Sequence, residues 1–215
     1  MTEQATREAI VAACRGMAAL GLTQGTSGNI SVRQGEAMLI TPSATPYERM
    51  QPSDIAVMPL AEDGAWTGPL PPSTEWRFHR DILRTRPDAG AIVHAHPIFC
   101  TTLAIARRAI PPCHYMIALF GGTDVRCAPY ATFGTQELSD HAIEALKDRN
   151  ACLLANHGMI VLAPGLERAL WLAVELETIA RQYYNSLLIG GPILLTDAQI
   201  AETAAKFKNY GLKSA

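Results

Sequence analysis

The sequence predicts an α/β layered domain with a largely antiparallel or mixed sheet, and three observations carry that reading. Strand-like and helix-like apolar patterns are interspersed along the whole chain. Two short strand patterns near the N-terminus are joined by Gln34-Gly35-Glu36, which reads as a β-hairpin. No G-x-G-x-x-G or Walker pattern follows a strand, which argues against a doubly wound nucleotide fold.

The elements follow in order. Ile10, Val11, Cys14, Met17, Ala18 and Leu20 recur near helical spacing, so Thr6 to Leu20 is an opening amphipathic helix with Gly21 as its stop. After the polar loop Gly25 to Asn29 come the two hairpin strands, Ile30 to Arg33 and Ala37 to Ile40. Ile55 to Leu60 reads as a strand. Ser73-Thr74 stands where a helix N-cap belongs, placing Glu75 in the first turn of a helix that runs to about Arg84. A strand over 91–96, a helix from Thr101 to Ala106, and the runs Met116 to Phe120 and Asp124 to Ala128 follow. A helix from Gln136 to Lys147, two strands flanking His157, a long helix from Leu166 to Leu188 and a last helix from Asp197 to Phe207 complete the order.

At 215 residues the chain is expected to form one domain, 1–215, with a core large enough to need no staples. Its formal net charge of −2 and the lack of a basic block call for neither nucleic acid nor an anionic membrane, so a small-molecule partner is expected. The five cysteines are odd in number, scattered and never in a C-x-x-C pair, as for reduced thiols in a cytoplasmic protein. Residues 1–4 lack a basic segment, and Arg15 interrupts the apolar stretch from Ala9 to Leu22. Neither export nor a membrane span is expected.

The chemistry concentrates at His94 and His96. On an extended strand, residues i and i+2 share a face, so both imidazoles can reach one ion. An H-x-H pair also occurs where one ring is simply a satisfied interior group. His157, between the apolar runs 151–155 and 159–163, can be delivered to the same point by a neighbouring strand end, and Glu75 supplies a carboxylate. Three imidazoles and one exchangeable carboxylate read as a catalytic zinc site, with Mn2+ or Co2+ as other candidate ions. Gly158 would permit a tight bend beside His157, or is an ordinary turn glycine. Glu75 has a plainer reading too, as a carboxylate favoured by a helix dipole.

Around Thr26, Gly28 and Asn29, small residues expose backbone N–H groups to an anion and polar side chains add donors, although a plain turn uses the same residues. Ser73 and Thr74, at a helix start, suit either an anion or simple capping.

Taken together and in order, Gln24 to Arg33, Ser73 to His79, His94-Ala95-His96, His114-Tyr115-Met116, Ala128 to Thr135 and Lys206 to Leu212 resemble the class II aldolase/adducin family over nearly the whole chain. The resemblance implies a three-layer α/β/α domain with a central, mainly antiparallel sheet, assembled as a C4 homotetramer with active sites at subunit interfaces. It implies zinc on His94, His96 and His157, with Glu75 binding at rest and acting as acid/base when substrate arrives. Phosphate contacts fall on Thr26, Gly28, Asn29, Ser43, Ala44, Ser73 and Thr74, and Tyr115 and Tyr210 work at the aldehyde end of the substrate, Tyr115 from a neighbouring subunit. Both tyrosines have packing as an alternative. Two residues depart from the ketose-phosphate aldolase pattern: Asn156 replaces a His before the ligand His157, and Ala44 replaces a glycine of the phosphate loop.

The activity implied is retro-aldol cleavage of a ketose 1-phosphate, of the L-fuculose or 5-deoxypentulose type, to dihydroxyacetone phosphate and a small aldehyde. Such cleavage needs an electron sink, supplied by a metal ion or by a lysine Schiff base in a dry pocket. Lys147 is the first lysine in the chain and the rest lie near the C-terminus, which favours metal. Rival readings within the family are a phosphopentulose 4-epimerase, where the position of Glu75 resembles an Asp, and a methylthioribulose-1-phosphate dehydratase. Outside enzymology the rival is an adducin-like interaction domain, against which the intact His and Glu set argues.

Overall fold

The computed structural model describes residues 2–207. Its strands are β1 (Gly28–Gln34), β2 (Ala37–Ile40), β3 (Ala56–Pro59), β4 (Ala91–Ala95), β5 (Arg126–Ala128), β6 (Ala151–Leu154) and β7 (Gly158–Ala163). They form one seven-stranded sheet in the order β3-β2-β1-β4-β7-β6-β5. Every neighbouring pair is antiparallel except β5 with β6. The helices are α1 (Glu3–Ala19), α2 (Trp76–Thr85), α3 (Ile98–Ile105), α4 (Gln136–Ala145), α5 (Leu166–Leu187) and α6 (Asp197–Phe207).

Strand alternation sorts the side chains into two cores. Ala91, Val93 and Ala95 of β4 face a cluster built with Ile10 and Met17 of α1, Leu103 of α3 and Leu176 of α5. Ile92 faces the other way, into a cluster with Phe78 and Ile82 of α2 and Leu138 of α4. The expected α/β/α layering is therefore present, with the sheet in the middle. Because β4 is the fourth of seven strands and covered on both faces, all five of its residues are buried, His94 included. Fully burying Ile92 and Val93 contributes roughly 1.5–3 kcal/mol each, and hydrogen-bonded strands on both sides hold the strand that carries His94 in place.

The helix ends show where local signals suffice. The Thr2 side chain accepts a hydrogen bond from Ala5 N, and Gly21, just past the C-cap, takes a left-handed φ of 71° as its place in the sequence predicts. By contrast, α3 begins at Ile98 and not at Thr101. Its first amides are held from a distance: the Glu177 carboxylate of α5 accepts hydrogen bonds from Phe99 N and Cys100 N, both at 2.8 Å. The run Met116 to Phe120 belongs to a 3-10 segment, Tyr115–Phe120. Glu75 is the N-cap of α2, one residue outside its first turn, and Ser73 Oγ accepts from Glu75 N at 3.3 Å.

Candidate metal centre and active site

Three neighbouring pieces of backbone meet at the end of β4. His94 lies on β4, His96 follows the strand directly, and His157 closes the turn between β6 and β7. Glu75 arrives from α2, on the same side of the sheet as His94. The edge of the His94 ring meets the α2 residue Phe78, with centroids 5.3 Å apart. The ligand nitrogens of His94, His96 and His157 all lie within 4.8 Å of one another. Glu75 Oε2 is 3.2 Å from His94 Nε2, and Oε1 is 3.2 Å from His157 Nε2.

Tautomers follow from the partners. The Met159 carbonyl oxygen, 2.9 Å from His94 Nδ1, can only accept, so Nδ1 carries the hydrogen and a neutral His94 presents its Nε2 lone pair inward. That lone pair faces His96 Nε2 at 2.9 Å as well as the Glu75 carboxylate. Glu75 Oε1 is buried and accepts no aligned hydrogen bond, although His157 stands within ion-pairing distance. Acceptors that converge in a buried place demand a positive charge between them. The donor set fits a divalent ion that takes nitrogen and carboxylate ligands, with His94, His96 and His157 as a triad and Glu75 beside them.

The electrostatics express the same demand. Burial would raise the Glu75 carboxyl, but His94 and His157 beside it hold it far below the ordinary carboxylate range. Burial works against charge on His94, and Glu75 overcomes it, raising that ring. Burial, with His94 and His157 nearby, lowers His96 to about 3. Protons therefore compete for this place, and metal binding is expected to release them.

One small residue and one left-handed residue permit the approach. A Cβ on Gly158 would lie 2.5 Å from Ala95 O and 2.5 Å from His96 Cδ2, so Gly158 is there for space. The turn is made instead by Asn156, with φ 56°, a left-handed conformation that Asn tolerates. Its side-chain oxygen accepts from Arg107 Nε at 3.2 Å. Gly158→Ala is expected to cost about 1–3 kcal/mol and to weaken metal binding by displacing the His96 ring. A denaturation midpoint and a metal titration equal to those of the parent protein would contradict this.

Hydrogen bonds tie the candidate phosphate segments together beside Glu75. Ser43 N donates to Pro71 O at 3.0 Å, Ser73 N to Thr41 O at 2.9 Å, and Tyr47 OH to Gly28 O at 2.8 Å. Thr26, Ala44 and Thr74 are exposed, and among the described residues no hydrogen bond engages the amides of Ala44 and Thr74. Ala44 occupies φ 50°, a strained conformation for a residue with a Cβ, which accounts for glycine being the alternative there. Gly28 has φ 123°, and a Cβ on it would lie 2.8 Å from His94 O. Asn29 points elsewhere: its Nδ2 donates to Glu75 Oε2 at 2.9 Å, and its Oδ1 meets His79 Nε2 at 2.5 Å.

Tyr115 stands half exposed in its 3-10 segment, its ring against His114 at 4.7 Å and Phe207 at 6.2 Å; within the described residues no contact joins it to His94, His96 or His157. Tyr210 lies outside the described residues. Sequence reasoning missed His79, Ser31 and the Met159 carbonyl. Of these only His79 leaves a signal, since it falls four residues after Glu75.

The family model for the class II aldolase and adducin N-terminal domain matches residues 8–184. This chain is a member of that family. It is an enzyme of the aldolase type, as its relatives indicate. It is 49% identical over 207 residues to the 5-methylthioribulose-1-phosphate/5-deoxyribulose-1-phosphate aldolase of Rhodospirillum rubrum, covering 96% of this chain and 93% of that one. It is likewise 49% identical to the L-fuculose phosphate aldolase of Escherichia coli K12, covering 95% and 94%. Among solved structures, an L-fuculose 1-phosphate aldolase superposes with a TM-score of 0.90 at 38% identity, covering 94% of this chain and 95% of that one.

Proposed function

We propose that this aldolase cleaves a ketose 1-phosphate to dihydroxyacetone phosphate and a small aldehyde with a zinc ion held by His94, His96 and His157. The observation that carries the metal reading is the fixed Nδ1–H of His94, which leaves Nε2 among acceptors in a buried site. Similarity to aldolases for 5-deoxypentulose and fuculose phosphates supports the substrate class. Three imidazoles with a carboxylate suit zinc, and Mn2+ or Co2+ could serve in its place.

When bound, the ion supplies the electron sink, withdrawing charge from the ketone and adjoining hydroxyl oxygens as the carbon–carbon bond breaks. The protein's own groups do the rest. Amides and hydroxyls of Thr26, Gly28, Asn29, Ser43, Ala44, Ser73 and Thr74 hold the phosphate; the unengaged amides of Ala44 and Thr74 support this, while the Asn29 side chain also serves Glu75. Glu75, moved aside by the incoming sugar and clear of the imidazoles, takes up a proton from solvent and delivers it to the carbon released from the bond. Tyr115 handles the proton on the C4 oxygen and Tyr210 assists at the aldehyde end.

Tyr115 belongs to the site of a neighbouring copy in a C4 homotetramer, and its 50% exposure on one chain supports that assignment. A cytoplasmic setting accords with five unpaired cysteines, and no described helix is long and apolar enough to cross a membrane. The test is a screen of ketose 1-phosphates scored for dihydroxyacetone phosphate and its companion aldehyde. Release of both from an L-fuculose-type or 5-deoxypentulose 1-phosphate is expected. Epimer formation from a pentulose 5-phosphate without aldehyde release would overturn the reading.

A further inference from the structure

Behind Glu75 lies a buried polar chain. Ser31 of β1 and His79 of α2 are both fully buried, and Asn29 nearly so. Ser31 Oγ lies 2.7 Å from His79 Nδ1, His79 Nε2 lies 2.5 Å from Asn29 Oδ1, and Asn29 Nδ2 lies 2.9 Å from Glu75 Oε2. The carboxylate at one end fixes every direction. An ionised Glu75 can only accept, so the Asn29 NH2 group faces it and Oδ1 faces His79. Oδ1 can only accept in turn, so His79 carries its hydrogen on Nε2 and takes one from the Ser31 hydroxyl at Nδ1. Burial lowers His79 to about 3, which keeps the ring neutral and the chain in one sense at working pH.

We propose that His79, backed by Ser31, is a positioning residue that locks the Asn29 amide with its NH2 toward Glu75, pinning Oε2 and leaving Oε1 as the oxygen that carries the proton. This rests on the acid/base role proposed for Glu75. The asymmetry between the two oxygens supports it, because Oε2 receives a hydrogen bond from Asn29 while Oε1 accepts none. Without His79 the Asn29 amide could turn its oxygen toward the carboxylate and repel it. Glu75 would then lose its aim and keep its charge.

Two polar replacements separate positioning from packing. Gln at 79 can extend its NH2 group to where Nε2 lies and still donate to Asn29, whereas Asn reaches only as far as Nδ1. His79→Gln is expected to keep kcat within about threefold, and His79→Asn to lower it about 10- to 100-fold with KM and bound metal nearly unchanged. Equal losses in the two variants, or none in either, would overturn the proposal. A second readout needs no variant and no turnover: 15N NMR of the parent protein is expected to show His79 protonated on Nε2 and bare on Nδ1, and the opposite tautomer would refute the chain. If the parent protein cleaves no ketose 1-phosphate, the proposed function fails, and the tautomer still decides whether His79 orients Asn29.

Discussion

Glu75→Gln is expected to bind metal to the same stoichiometry as the parent protein and to release dihydroxyacetone phosphate about 10²–10⁴-fold more slowly. Three imidazoles remain to hold the ion, and the amide has nearly the shape of the carboxylate it replaces. What goes is the basicity. The parent carboxyl is held well below its ordinary range by His94 and His157, so it rests as an anion, and only removal from those rings makes it a competent proton carrier. Glutamine takes up no proton at either position. Rapid-quench measurement of product with metal content determined on the same sample checks this, and parent-like turnover in the variant would remove Glu75 from acid/base work.

His96→Ala should fail at an earlier stage, by losing the ion itself. His96 lies just past β4, is only partly buried, and is lowered to about 3 by burial and its two neighbours, so it stands as a neutral imidazole with a lone pair to donate. Removing it takes one of three nitrogen ligands. The loss in affinity should exceed the 10- to 100-fold typical when a mere outer partner of a ligand is removed. Metal analysis after dialysis and an aldehyde assay should fall together, with far-ultraviolet circular dichroism unchanged. Full activity after exhaustive chelation of the parent protein would refute metal dependence altogether.

How much of this was legible in the residues depends on how far apart the interacting groups lie in the chain. The H-x-H pair was readable because strand geometry is local, and His94 and His96 do bring their Nε2 atoms within 2.9 Å. The layered sheet was readable because alternation and caps are local too. The start of α3 was not, because its amides are held by Glu177, 78 positions beyond Phe99 in sequence. Asn29 suggested a phosphate donor from its loop, and only the fold shows its amide between Glu75 and His79, separations of 46 and 50. At the turn before His157 the obvious glycine drew attention, yet Asn156 makes the bend and Gly158 makes room.

The seat of His94 on the innermost strand governs how an ion could come and go. Fraying at the sheet margins leaves β4 untouched, since β1 and β7 are hydrogen-bonded to it on either side. Freeing His94 by loosening its backbone would thus require an excursion nearly as rare as complete unfolding, and thermal midpoints should climb with the logarithm of free metal concentration.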